Sequence, residues 1–290
     1  GEWVYIGGDS AAYNFANAVN NGWKRVRSIA TNAIEFDKSV AAMTTDNGSG
    51  KTIRIWIGRK LQNEIGSDIV RKTYQLELSL GAPDDSQPSQ IQGLYVTGCI
   101  PSQWSINIGT ATKITTSISF MGKDSETVDG PTGLKSGTRP TLVDTDAFNT
   151  SSDLKRIEMG LVSSTDEAVT PFFAYVTDLT ININNNLKPL KAAGVLGAFD
   201  VSTGTFAVGG SVTAYFTNVA AIEAIRDNAD VSMDAILVKN NAGVVFDIPL
   251  MSLGGGNPNI QLDEPVTLPL NVDAATASRI STSMNYTMAV

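Results

Sequence analysis

The sequence predicts a mainly β protein built from antiparallel strands with one or two short helices. Three observations carry this. Stretches in which apolar and polar residues alternate recur along most of the chain, helical spacing is confined to two short segments, and Gly, Asn, Ser and Pro punctuate the intervals. The 290 residues suffice for a sizeable core, arranged either as one large β-rich domain or as two smaller units sharing a sheet.

The clearest strand is 73–80, where Tyr74, Leu76, Leu78 and Leu80 form an apolar face against Thr73, Gln75, Glu77 and Ser79. Segment 52–57 puts Ile53, Ile55 and Ile57 on one side and Trp56 on the other, which predicts a strand buried on both faces. Trp104, Ile106 and Ile108 alternate with Ser105 and Asn107; after a short turn containing Gly109, segment 113–120 sets Ile114, Ile118 and Phe120 against Thr115, Ser117 and Ser119. In 178–184, Leu179, Ile181 and Ile183 alternate with Asp178, Thr180, Asn182 and Asn184, and 210–216 alternates Val212, Ala214 and Phe216 with Ser211, Thr213 and Tyr215. Further strands are expected at 234–239, 244–250 and 265–270. Segments 95–120 and 175–216 echo one another loosely, which fits either a duplicated half or the common grammar of antiparallel sheets.

One helix is predicted over 219–227, capped by Asn218, with Val219, Ile222 and Ile225 turned inward. A second is predicted over 11–19 after Ser10, with Ala11, Phe15 and Val19 four apart. Segment 123–152 is rich in Gly, Pro, Asp, Ser and Thr and reads as a long loop or arm, of a length that usually serves function.

Composition excludes several kinds of chemistry. The chain has no histidine, so the commonest general base and every Ser-His or Cys-His nucleophile are missing. Cys99 is the one cysteine, which rules out an intrachain disulfide and a thiolate metal cluster; its apolar neighbours Val96 and Ile100 read as a buried small side chain. Net charge is −8 with scattered Lys and Arg, so nothing forms a basic stripe for phosphates. Only 17% of residues are charged against 42% hydrophobic, which leaves a surface that copies of one chain can bury without desolvating many ions. No apolar run approaches the ~18 residues of a membrane span, and Glu2 stands where a signal peptide carries basic residues, so the chain is expected to be soluble and made in the cytoplasm. It starts at Gly1 rather than Met, which leaves a processed or longer precursor open.

Candidate sites fail one by one. Segment 45–52 ends in Gly50-Lys51-Thr52 like a phosphate-binding loop, but Thr45 replaces the first glycine and a strand follows where a helix is required, so a hairpin turn is expected. Asp84 and Asp85, and Asp263 and Glu264, adjoin prolines and read as solvated loops rather than acids held across a cleft. Gly254-Gly255-Gly256 reads as a flexible turn, and Asn184-Asn185-Asn186 as the close of a strand. Trp3, Trp23, Trp56 and Trp104 do not interleave with basic residues and read as core or interface anchors. No catalytic, cofactor-binding or metal-binding residue is expected, and no enzymatic activity.

Segments 2–9 (Glu-Trp-Val-Tyr-Ile-Gly-Gly-Asp), 74–81, 149–153 (Asn-Thr-Ser-Ser-Asp), 175–186, 194–200 (Gly-Val-Leu-Gly-Ala-Phe-Asp) and 209–216 resemble, in order and spacing, segments of the tail tube proteins of long-tailed bacteriophages. The resemblance spans nearly the whole chain apart from 123–148 and the last residues. It implies a single tail-tube domain over 1–290, folded as an antiparallel β-sandwich or half-barrel with a flanking helix, six copies of which form a ring. Rings would stack into the hollow tail tube of the virion, through which DNA passes without specific binding. The implied partners are further copies within and between rings, the tail tip or baseplate, the tail terminator and the tape measure protein, with no membrane. Glu77 and Asp178 are the candidate residues for a polar strand face lining the lumen, and the 123–152 loop is the candidate bridge between rings.

Two other classes remain for comparison. A carbohydrate-binding or adhesive β-module of a virion or cell surface would need an exposed aromatic cluster, and a carboxylate-based glycoside hydrolase would need its acids across a cleft.

Overall fold

The computed structural model describes residues 1–63, 67, 69–82, 86–131, 134–162, 171–173, 175–239 and 242–276, together with the backbone of 285–289. The strands are β1 (Trp3–Ile6), β2 (Gly22–Ala30), β3 (Ala33–Ser39), β4 (Ile55–Ile57), β5 (Arg59–Gln62) and β6 (Tyr74–Gly81) in the first part of the chain. Next come β7 (Ile91–Gly109), β8 (Thr115–Met121), β9 (Asp124–Gly130), β10 (Leu154–Leu161), β11 (Val176–Asn184), β12 (Lys188–Leu190), β13 (Asp200–Ser202) and β14 (Ala207–Tyr215). The helix α1 (Ala220–Arg226) precedes β15 (Val231–Lys239), β16 (Ala242–Gly255), β17 (Thr267–Ala274) and β18 (Asn285–Ala289).

Every described strand pair is antiparallel. The large sheet runs β10-β15-β16-β17-β14-β11-β7-β6 and does not close into a barrel. The long β7 is paired along both halves: Ile91–Thr97 with β9 and Gln92–Cys99 with β6, then Ile100–Asn107 with β8 and Gln103–Gly109 with β11. A smaller sheet runs β3-β2-β1-β4, β12 pairs with β13, and β18 lies between β16 and β5.

The alternation expected at 178–184 is realised in β11. Leu179, Ile181 and Ile183 stand opposite Ile108, Ile106 and Trp104 of β7 and opposite Val212, Gly210 and Val208 of β14. They join Leu268, Leu270 and Val272 of β17 and Met233, Ala235 and Leu237 of β15 in one buried cluster. Each fully buried Leu or Ile there contributes about 1.5–3 kcal/mol. The close spacing of β11 and β14 depends on Gly210, where an added Cβ would lie 1.9 Å from the Thr180 carbonyl oxygen.

Strands β15 and β16 are buried on both faces. One face meets the main core; the other, through Ile236 and Val245, packs on Trp3 and Trp23 of the small sheet. The same interface holds a buried ionic layer. Arg25 donates to Asp37 (2.7 Å) and to both oxygens of Asp247 (3.1 and 3.0 Å), and the Trp3 indole N–H donates to Asp247 (3.0 Å). Asp234 receives Lys38 at 2.7 Å and Arg156 at 2.8 Å, while Glu158, opposite Asp234 on β10, lies 3.0 Å from Arg156. Burial pushes the Glu158 carboxyl upward, with Arg156 opposing. Removing these seven charged groups from water is tolerable only because each faces an opposite charge.

Several expectations need correction. The predicted helix at 11–19 is two short 3₁₀ turns, Ala11–Tyr13 and Ala18–Asn20. Asparagine side chains win over the helix here: Asn14 accepts from the Gly8 N–H and donates to the Gly8 and Ser10 carbonyls, and Asn21 accepts from the Phe15 N–H. In α1, Asn218 does accept from the Ala220 N–H (3.0 Å), and Ile222 and Ile225 pack on the main core beside the buried Ala221 and Ala224, but Val219 is exposed. Segment 52–57 narrows to Ile55–Ile57 and is exposed on both faces. The glycine-rich 45–52 stretch is no hairpin turn, because it leads from β3 to β4, which lie at opposite edges of the small sheet. Segment 123–152 is not loop throughout: Asp124–Gly130 forms β9 against β7. Gly254 and Gly255 belong to β16, and Gly256 is a tight contact rather than a flexible turn, since a Cβ there would lie 2.5 Å from Ile225 Cδ1 of α1.

Candidate functional site

The chain presents two surfaces of contrasting chemistry. The first is the outer face of the large sheet. Because side chains alternate, burying Leu179, Ile181 and Ile183 forces Asp178, Thr180, Asn182 and Asn184 to the other side. Cross-strand register continues that face through Gln103, Ser105 and Asn107 of β7 and Thr115, Ser117 and Ser119 of β8. In the other direction it runs through Ser211 and Thr213 of β14 and Asn271 and Asp273 of β17. All of these side chains are exposed or half-buried, and Thr180 donates to Asn107 across the strands (3.1 Å). The result is a broad sheet of small, uncharged polar groups. Asp178 stands at one end of it, lining a shallow hollow with Asn107, Thr112, Lys113, Thr115 and Thr180.

The second surface is the ribbon made by β6, the first half of β7, and β9. One of its faces carries Tyr74, Leu76, Leu78 and Leu80 of β6, with Leu94 and Val96 of β7 beside them. This apolar face is not core: the four β6 residues are 48%, 37%, 54% and 53% exposed. Phe120 of β8 meets Tyr74 edge-on with ring centroids 6.1 Å apart, and Ile118 is exposed as well. Apolar patches of this kind mark places where another surface docks.

The opposite face of the ribbon is covered by the stretch 134–139. Glu77, Tyr95 and Glu126 stand in one cross-strand row. Arg139 clamps Glu77 with two hydrogen bonds of 2.6 Å, Nε to Oε1 and Nη2 to Oε2. The Tyr95 hydroxyl donates to Glu77 (2.7 Å) and accepts from the Lys135 N–H (2.8 Å), and Lys135 also pairs with Glu126. The Arg139 hydrogen bond first, then that from Tyr95, draws the Glu77 carboxyl down to about 2.

Glu77 and Asp178 are therefore not neighbours. They face opposite halves of β7, at Tyr95 and Gly109, on the order of 40 Å apart along the strand. Sequence reading missed Arg139 and Lys135 as clamp residues; the one available sign was a pair of cations inside an otherwise acidic and polar segment.

The other singled-out residues sit in structural roles. Cys99 is wholly buried, in register with Tyr74 of β6. Lys51 donates to the Ala11 carbonyl, holding its loop against the first 3₁₀ turn. Asp263, with φ of 64°, and Glu264 are exposed in a turn, and Asn186 takes the left-handed conformation expected at the close of β11. Asp84 and Asp85 lie outside the described residues. Trp3 and Trp23 are core, Trp104 packs against it, and Trp56 is exposed with its N–H on the Gly7 carbonyl (2.7 Å). Among the described residues, no group of three or more Cys, Asp or Glu is placed to hold a metal, and no helix is long and apolar enough to cross a membrane.

No curated protein matches the chain. A family model described as phage tail tube protein matches residues 5–274, from β1 to the end of β17, and so takes in both sheets, the polar face and the ribbon. The chain belongs to the phage tail tube protein family, structural components of the virion that associate with one another in the tail.

Proposed function

We propose that copies of this chain form rings, six to a ring, which stack into a tube whose bore is lined by the polar face of β8, β7, β11, β14 and β17. The observation that carries this reading is the chemistry of that face. A wall for passing DNA must be wet, must not offer Lys or Arg to phosphates, and must not present apolar area to bases. The rows Gln103-Ser105-Asn107, Thr180-Asn182-Asn184 and Ser211-Thr213 meet each condition, and Lys113, at the rim, lines the same hollow as Asp178. Asp178 and Asp273 add repulsion toward phosphate, so DNA slides with no ion pairs to break. Of the two acids expected at the lumen, Asp178 keeps that role in this reading; Glu77 is balanced by Arg139 and serves to hold the 134–139 stretch in place.

The remaining parts divide accordingly. The apolar ribbon face supplies association between copies, and the segment after β9 serves as the bridge. The tube ends would meet a tip or baseplate and a terminator, with a tape measure protein inside the bore during assembly.

Electron microscopy of the purified protein tests this reading. Rings or hollow tubes with six-fold symmetry are the expected result. A species that stays monomeric at high concentration, above all one that binds sugars, would contradict it and favour the adhesive module.

A further inference from the structure

We infer that copies join head to tail by seating Leu142 and Val143 of one copy on the bare β6 face of the next. This rests on the assembly reading above and names the two patches that meet.

Leu142 and Val143 are 95% and 82% exposed, the former among the most exposed large apolar side chains in the chain. They do not sit on a dangling tail. Arg139, three residues before Leu142, is clamped on Glu77; behind them, the Asp146 carbonyl accepts from Lys239 (2.5 Å) and the Phe148 carbonyl from the Ile114 N–H (3.0 Å). A segment pinned at both ends and carrying two apolar residues outward is shaped to insert into something.

The receiving surface lies on the reverse of the same ribbon. Glu77, which holds the segment, alternates with Leu76 and Leu78, so the clamped face and the bare face point in opposite directions. A segment anchored on one face of the ribbon and a bare apolar patch on the other fit a heterologous contact, in which each copy offers its segment to the next and receives one from the last. Such contacts close into rings or run on as filaments. A contact of the β6 face with another β6 face would be isologous and would leave Leu142 and Val143 unused.

Charge favours the same pairing. Leu142 and Val143 are followed by Asp144 and Asp146, whereas the β6 face is preceded in the chain by Lys72, all three charged residues being exposed; Arg71 beside it is held by Asp200 (3.0 Å). Seating the segment brings these carboxylates toward Lys72 at the rim, which sets direction and register.

The test uses cysteine pairs. Cys99 is wholly buried, so new thiols report alone. The Leu78→Cys and Leu142→Cys variants are prepared separately, mixed, allowed to assemble and oxidised mildly. An intermolecular disulfide that forms in the mixture and in neither variant alone is the expected result. Tubes seen by electron microscopy without that cross-link, or with Leu78→Cys bonding to itself, would overturn the inference while leaving the assembly reading intact; failure of the unaltered chain to assemble would sink both. A charge exchange gives an independent check: Lys72→Glu and Asp144→Lys should each raise the concentration needed for assembly about fivefold, and the double variant should restore it. Non-additive rescue supports the contact, and additive loss contradicts it.

Discussion

Asp247→Asn is the sharpest test of how the two sheets are joined. Asp247 is wholly buried and accepts three hydrogen bonds, two from the Arg25 guanidinium and one from the Trp3 indole. An asparagine keeps the shape and can still accept from Trp3, but it removes the negative charge and turns an amide N–H₂ toward Arg25. Breaking a buried ion pair from one side costs about 3–5 kcal/mol. Arg25 keeps Asp37 at 2.7 Å, so the loss belongs at the lower end, about 3 kcal/mol. For a chain of this size that is a downward shift of about 1 M in the urea midpoint at unchanged slope. Trp3 and Trp23 both line this interface, so intrinsic fluorescence reads it directly. A shift below about 0.3 M would mean that water replaces the lost charge at no cost and that the ionic layer is not dry.

Other predictions follow from single features. Gly210→Val should abolish folding of the large sheet, because its Cβ would collide with the Thr180 carbonyl; loss of soluble protein or of the β signal in circular dichroism checks this. The clamp on Glu77 is acid-sensitive. Its folded pKa of about 2 lies below the ordinary value of 4.5, so its contribution is whole above pH 4.5 and fades as pH falls toward 2. Amide-exchange protection over 134–147, taken relative to the intrinsic rate at each pH, should fall as pH drops through that window in the parent chain, and already be low at pH 7 in Arg139→Ala. Asp178→Lys should leave tubes intact while slowing DNA release in an ejection assay, since it adds a phosphate contact to the proposed wall. Unchanged release in this variant and in Asp273→Lys together would remove the wall from this face.

Two stretches with the same alternation show what the sequence could reveal. Leu179, Ile181 and Ile183 became core, while Tyr74, Leu76, Leu78 and Leu80 stayed bare. Period-two patterning says that one face of a strand is apolar; it does not say whether this chain or another covers it. The strongly alternating strands such as β6, β11 and β14, the helix after Asn218 and the burial of Cys99 were legible because they depend on neighbours in sequence; β9, in a segment of turn-forming composition, was not. The ionic layer was not, since Arg25 and Asp247 meet across 222 positions. Nor was the clamp, because Arg139 finds Glu77 only after β6, β7 and β9 have paired. The failed helix at 11–19 carried a local warning that apolar spacing outweighed: Asn14, Asn17, Asn20 and Asn21 each offer backbone groups an alternative to helical bonding.

In the proposed assembly the polar face of the large sheet looks inward and the apolar ribbon looks toward other copies. A cryo-electron microscopy reconstruction of the assembled protein tests it most directly. The expected result is a hollow, six-fold tube with Asn107, Thr180 and Ser211 on the bore and Leu76 and Leu78 buried between copies. A tube with those polar residues on its outer wall, or with the β6 leucines open to solvent, would contradict it.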